Sequence, residues 1–128
     1  FCNAGHPYPL LIAPDGTVSF FKTADNLPLG VTSDYEYEEQ ECYFAPGSQL
    51  LFYTDGVSEA QNEQSKFYKI DRLFNLVVSH SQLAPRQMVD KVVGDVKRFV
   101  GKAEQSDDLT VMSFRLNPRG KKKIEGLL

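Results

Sequence analysis

Cysteine is scarce in this chain: Cys2 and Cys42 are the only two among 128 residues. They form no Cys-x-x-Cys pair and have no histidine at ligand spacing. This argues against a disulfide framework or a thiolate metal site and predicts two reduced thiols in a cytoplasmic protein. A bridge involving Cys2, at the very start of the chain, is the minor reading. Basic residues are not in excess either. The net charge is −3, whereas domains built to bind nucleic acid usually carry a positive surplus, so nucleic acid is not expected as the main partner. No apolar run approaches the length of a membrane span, and the N-terminal residues show no signal-peptide pattern. Also missing are a Gly-rich phosphate loop, a Gly-x-Ser-x-Gly elbow and a Cys/His pair at reactive spacing. Covalent catalysis by a side-chain nucleophile therefore has no support in the sequence.

What is present suffices for one domain with a real core, with 41% hydrophobic and 24% charged residues. Pro9 to Ala13 and Thr17 to Lys22 are β-rich runs around Pro14-Asp15-Gly16, a combination that predicts a hairpin. Thr23 to Thr32, containing Asn26-Leu27-Pro28-Leu29-Gly30, reads as an irregular loop. Asp34 to Phe44 alternates with period two and predicts a strand whose wet face carries Glu36, Glu38, Glu39 and Glu41. Ala45-Pro46-Gly47-Ser48 turns the chain into a buried strand that ends at Thr54. Ala60 to Lys66 is polar and is expected to be a mobile loop. Ile70, Leu73, Phe74, Val77 and Val78 recur at helical spacing, and His80 closes that helix where its charge would complement the dipole. A second helix is expected from Pro85, in its first turn, through Met88, Val92, Val96 and Val100 to a stop at Gly101. Leu109 to Leu116 is the last strand, and residues 117–128, with Lys121 to Lys123, are expected to be a disordered tail. No repeat or second domain is visible. Strands followed by a helix pair and a final strand indicate an α+β fold, an antiparallel sheet with two helices packed on it.

Two acidic clusters stand at the ends of apolar strands. Asp55-Gly56-Val57-Ser58-Glu59 follows Gln49 to Thr54, and Asp107-Asp108 precedes Leu109 to Leu116. If those strands are neighbours, their ends converge into a set of oxygen donors suited to Mg²⁺ or Mn²⁺. Each cluster also has a plainer reading. Asp-Gly is common turn chemistry, and adjacent acids before a strand suit a solvated loop. Glu59, four residues beyond Asp55, would share a face with it if the chain turns helical there. Neighbouring like charges call for a cation or a basic partner.

Four ordered segments resemble a known family. Asn3-Ala4-Gly5-His6-Pro7-Tyr8-Pro9-Leu10-Leu11, Leu27-Pro28-Leu29-Gly30, Pro46 to Ala60 around Thr54-Asp55-Gly56, and Ser106-Asp107-Asp108-Leu109-Thr110-Val111 occur in the order seen in metal-dependent protein serine/threonine phosphatases. The nearest branch is the bacterial one typified by the sporulation stage II protein E phosphatase. The resemblance implies an α-β-β-α sandwich, of which residues 1–116 would be the C-terminal part. It implies hydrolysis of phosphoserine or phosphothreonine on a regulatory protein by water activated between two Mn²⁺ or Mg²⁺ ions. It assigns metal ligation and catalysis to Asp55 and Asp107, with Glu59 at the position of a weaker third metal and Asp108 where many relatives have Asn. His6 stands where animal and plant relatives carry an Asp. No residue is assigned to substrate binding.

The sequence departs from the family in lacking both a metal-bridging Asp and the further acidic ligand that the family's N-terminal half usually supplies. The family's N-terminal half supplies an Asp-Gly-x-Gly segment whose Asp bridges the metals, and Asp15-Gly16-Thr17-Val18 is a hairpin turn that does not replace it. The chain also opens on Phe1-Cys2-Asn3 without an initiator Met. The expectation is a piece of a longer phosphatase, inactive alone, with open sheet edges that invite dimerisation. The competing expectation is a degenerate, non-catalytic module that binds a phosphoprotein or regulates an attached sensor domain.

Overall fold

The computed structural model describes residues 1–104 and 107–117. In chain order the elements are strands β1 (Leu10–Ile12), β2 (Val18–Phe20) and β3 (Gln49–Tyr53), then helices α1 (Asp55–Ser58), α2 (Ile70–Ser79) and α3 (Pro85–Val100), then strand β4 (Val111–Arg115). The strands form one antiparallel sheet in the order β2-β1-β3-β4. Among the described residues no helix is long and apolar enough to cross a membrane.

The β1–β2 hairpin forms where the turn chemistry places it. Gly16 donates to the Ala13 carbonyl at 2.9 Å, Ala13 donates to Thr17 at 2.8 Å, and Gly16 takes φ +89°, which closes a type I turn with a glycine bulge. The Asp15 carboxylate accepts the Thr17 N–H at 2.9 Å. Leu10 pairs with Leu51 and Ile12 with Gln49, so β1 joins β3 with its apolar residues on the same face. That face meets the helices. Leu10, Ile12, Leu51 and Tyr53 from the sheet pack against Leu73, Val77, Met88, Val92 and Val96, all buried. Each such aliphatic side chain contributes about 1.5–3 kcal/mol through removal from water. The opposite face is apolar as well. Leu50 and Phe52 of β3 adjoin Phe114 of β4, with the Phe52 and Phe114 rings stacked at 5.8 Å. An apolar depression of about 330 Å³, lined by Leu50, Phe52, Phe114, Phe21 and Phe44, opens on that side. A central strand apolar on both faces is the pattern of a sheet inside a layered sandwich.

Two expectations change, for residues 34–44 and for Val78. Residues 34–44 form no strand, because a strand needs a partner for its backbone. Among the described residues, Gln40 exchanges two backbone hydrogen bonds with Phe1, at 2.8 and 2.9 Å, and the Glu38 N–H goes to the Asn26 side chain at 2.9 Å. Period two gave the side-chain alternation without supplying a ladder. The polar stretch after Ala60 is a loop, as expected, and it is closed by its own hydrogen bonds. Gln61 bridges Phe67, and the Asn62 carboxamide oxygen accepts the N–H groups of Gln64 and Lys66, each at 3.0 Å. Val78 points outward, 46% exposed, while Leu73 and Val77 carry the contact of α2 with the core. Of the expected tail only Asn117 is described, in no element; residues 118–128 lie outside the described residues.

Between the two long helices, the hydroxyl of buried Tyr68 donates to Asp95 at 2.8 Å, and Asp95 also accepts from Arg72 at 3.0 Å and Arg98 at 3.4 Å. The Arg72 guanidinium lies over the Tyr68 and Phe99 rings at 5.0 and 4.9 Å. Partial burial works against ionisation of Asp95, but the hydrogen bonds from Arg72 and Tyr68 and the two cations outweigh it and hold its pKa below the usual value. Burial, first, and the carboxylate raise the Tyr68 pKa. Lys69, the N-cap residue of α2, has φ +66° and ψ 151°, a region a non-glycine residue rarely enters.

Candidate functional site at the carboxyl end of the central strand

Asp55 is the first residue of α1, separated from the end of β3 by Thr54 alone. Strand β3 lies beside β4, and Tyr53 pairs with Val111. The ladder continues one step further. Thr54 donates its N–H to the Thr110 carbonyl at 3.1 Å, and its hydroxyl oxygen receives the Thr110 N–H at 3.2 Å. The same hydroxyl donates to the Asp108 carbonyl at 3.2 Å. Thr54 occupies the N-cap position of α1 but makes no side-chain cap bond, because its oxygen is committed to the opposite segment. The two acidic clusters, remote in sequence, are thereby fastened to each other through one hydroxyl group.

Gly56 completes the junction. A Cβ at this position would lie 2.9 Å from the Asp108 carbonyl carbon, 3.5 Å from the Leu109 nitrogen and closer still to the Asp108 oxygen. Only a residue without a side chain lets the α1 turn approach the Asp107–Asp108 backbone this closely. The Asp55 carboxylate accepts the Gly56 N–H at 2.9 Å, and that of Asp107 accepts the Asp108 N–H at 2.7 Å. Asp55, Glu59, Asp107 and Asp108 are all exposed.

The structure thus brings Asp55 and Asp107–Asp108 to one end of the sheet. Glu59 follows within a single helical turn, its N–H bonded to the Asp55 carbonyl at 2.8 Å. His6 lies near the same end. Its ring meets Phe52 edge-on at 5.8 Å, and Nδ1 is 2.7 Å from the Pro7 carbonyl, so that nitrogen carries the proton. His80 instead donates from Nδ1 to Leu76 at the end of α2, a helix-terminal role. Cys2 and Cys42 are free thiols, both exposed. Neither acidic motif by itself points to Thr54 or Thr110. The available signal was a hydroxyl residue at the acidic end of each of two apolar strands.

Oxygen-only donors match the chemistry of a hard divalent cation. The number does not: among the described residues no group of three His, Cys, Asp or Glu side chains could hold a metal ion. A cleft of about 330 Å³ on the helix side of the junction is lined by Gly56, Gln61, Lys97 and Asp107 among others.

Known proteins resemble this chain in sequence and in fold. Phosphoserine phosphatase RsbU of Bacillus subtilis is 23% identical over 115 residues, 90% of this chain and 34% of the relative. The chain therefore spans about a third of that relative's length. Among solved structures, the SiaA-PP2C domain of Pseudomonas aeruginosa superposes with a TM-score of 0.70 at 23% identity, over 89% of this chain and 44% of that one. The PP2C phosphatase domain with a regulatory-domain fragment of the cell fate determinant SpoIIE from Bacillus subtilis gives a TM-score of 0.67 at 22% identity, over 91% and 33%. The α+β architecture is that of PP2C-type domains. The family model for stage II sporulation protein E matches residues 1–117, nearly the whole of the chain, which belongs to that family.

Proposed function

We propose that this chain is the C-terminal part of a metal-dependent phosphatase domain that removes phosphate from serine or threonine of a regulatory protein. Asp55 and Asp107 are its metal ligands, Glu59 and Asp108 flank them, and the remaining ligands come from elsewhere in the longer protein. Two Mn²⁺ or Mg²⁺ ions held there would supply Lewis acidity, lowering the pKa of a water and neutralising phosphoryl charge. The protein's own contribution is positional. The Thr54 hydroxyl and the Gly56–Asp108 approach support this reading, because they hold two exposed carboxylate-bearing turns together at a rigid strand end. The open apolar face of the sheet suits a second sheet of the sandwich.

The test is Mn²⁺ calorimetry together with phosphate release from a phosphoserine peptide, using the full-length protein. Asp55→Asn and Asp107→Asn should each abolish tight binding and turnover while leaving the melting temperature nearly unchanged. Turnover that survives in either variant refutes the assignment. Absence of both metal binding and turnover in the unmodified protein favours the non-catalytic phosphoprotein-binding module.

A further inference from the structure

Between Thr23 and Ser65 the chain carries nine acidic residues and no Lys, Arg or His. Six of them, Asp25, Asp34, Glu36, Glu38, Glu39 and Glu41, fall in the irregular segment before β3, and all six are exposed. None of the six forms an ion pair among the described residues. Within the same segment, Leu29 is 78% and Val31 is 62% exposed, with Leu27 beside them at 40%. Apolar side chains this open, framed by charge of one sign, are the composition of a contact surface.

The surface is held in shape. Asn26, buried, receives the Glu38 N–H on its side-chain oxygen at 2.9 Å, and the Tyr35 hydroxyl reaches the same oxygen at 3.3 Å. The Tyr37 hydroxyl donates to the Pro28 carbonyl at 3.3 Å, and Val31 N–H bonds back to Pro28 at 3.4 Å. Leu29 and Val31 are therefore presented by a loop clamped to the acidic stretch, which lowers the entropy lost when a partner binds. The surface is also tied to the end of the sheet that carries Asp55. Tyr8 donates its hydroxyl to Asp25, and Tyr53, two residues before Asp55, donates to the Tyr8 carbonyl at 3.1 Å.

We propose that residues 24–41 dock a basic segment of the protein substrate, with apolar side chains seated on Leu29 and Val31 and Lys or Arg facing the glutamates. Charge complementarity selects the occupant: an acidic or neutral segment would face six unneutralised carboxylates, whereas a basic one relieves their mutual repulsion. The proposal rests on the phosphatase reading for the occupant's being a substrate, and on the surface itself for its chemistry.

The experiment uses the full-length protein and a short serine-centred peptide rich in Arg and Leu, unphosphorylated and phosphorylated, with a matched peptide bearing Glu in place of Arg. Fluorescence anisotropy should show binding of the basic peptide alone, weakening as salt rises from low to physiological concentration. A Glu36→Lys/Glu38→Lys/Glu39→Lys variant should weaken it about tenfold, and Leu29→Ser/Val31→Ser should do the same without changing the salt dependence. In both variants KM for the phosphorylated peptide should rise while kcat and turnover of para-nitrophenyl phosphate stay constant. Basic-peptide binding lost in both variants but without phosphate release supports the docking surface and sinks the phosphatase reading. Equal binding of the basic and acidic peptides, or unchanged binding by both variants, overturns the proposal.

Discussion

Gly56→Ala tests whether the approach of two backbones sets the spacing of the acids. The added methyl would sit 2.9 Å from the Asp108 carbonyl carbon and closer to its oxygen, with no flexible side chain able to give way. Restoring ordinary contact requires the α1 turn and the Asp107–Asp108 segment to separate by on the order of 1 Å, a displacement that near a reacting centre lowers turnover about 100-fold. Overpacking of this kind destabilises by about 1–3 kcal/mol, which for a domain of this size lowers Tm by about 5–15 °C. Gly94→Ala is the internal control, since nothing lies within 4 Å of its Cβ position in the middle of α3. It should stabilise the helix by about 0.5–1 kcal/mol. Thermal melts and phosphate release, measured on both variants in the full-length protein, should move in opposite directions for stability. A Gly56→Ala protein with unchanged Tm and kcat within twofold of the parent would falsify the idea that this contact positions the acids.

Thr54→Val keeps the shape and removes the hydroxyl bridge, so urea unfolding should show a loss of about 1–2 kcal/mol that Thr54→Ser largely restores. Equal losses in the two variants would assign the effect to packing. Asp95→Ala should cost about 2–3 kcal/mol, most of it from the Tyr68 hydroxyl bond and little from the partly exposed Arg72 pair. Because the folded-state pKa of Asp95 is depressed, its contribution is present above the unfolded value and is lost as pH falls through the folded one. The stability gap between the parent and Asp95→Asn should therefore narrow in acid, and a gap constant down to pH ~2 would contradict the assignment. Lys69→Gly should stabilise by about 1 kcal/mol, because glycine tolerates φ +66°; destabilisation in a urea melt would show that the Lys69 side chain matters more than the strain.

Periodicity and turn chemistry made the hairpin, β3, both long helices and the Gly101 stop legible in advance, because each is dictated by residues close in sequence. Residues 34–44 misled for a related reason. Alternation reports which way side chains face, and Tyr35 and Tyr37 are half-buried where Glu36 and Glu38 are exposed, but a strand exists only with a partner. Here Asn26 and Phe1 take the backbone groups instead. Asp55 and Asp107 could be placed at strand ends, yet their meeting depended on β3 and β4 being adjacent, which no local pattern states. The Thr54 bridge was further out of reach, since it requires the register Tyr53 to Val111 to be known first.

That bridge also has a consequence for how the molecule comes into being. Thr54 and Thr110 are 56 residues apart, so their contact closes a loop containing α1, α2 and α3. Closing such a loop in a flexible chain costs roughly 3–4 kcal/mol of entropy. Contacts of long sequence separation form late when local helices can form early. The acidic junction should then be among the last features to assemble during folding, after α2 and α3 have found each other. Until that moment the two carboxylate turns stay apart, and partly folded chains do not bear the repulsion that their approach creates.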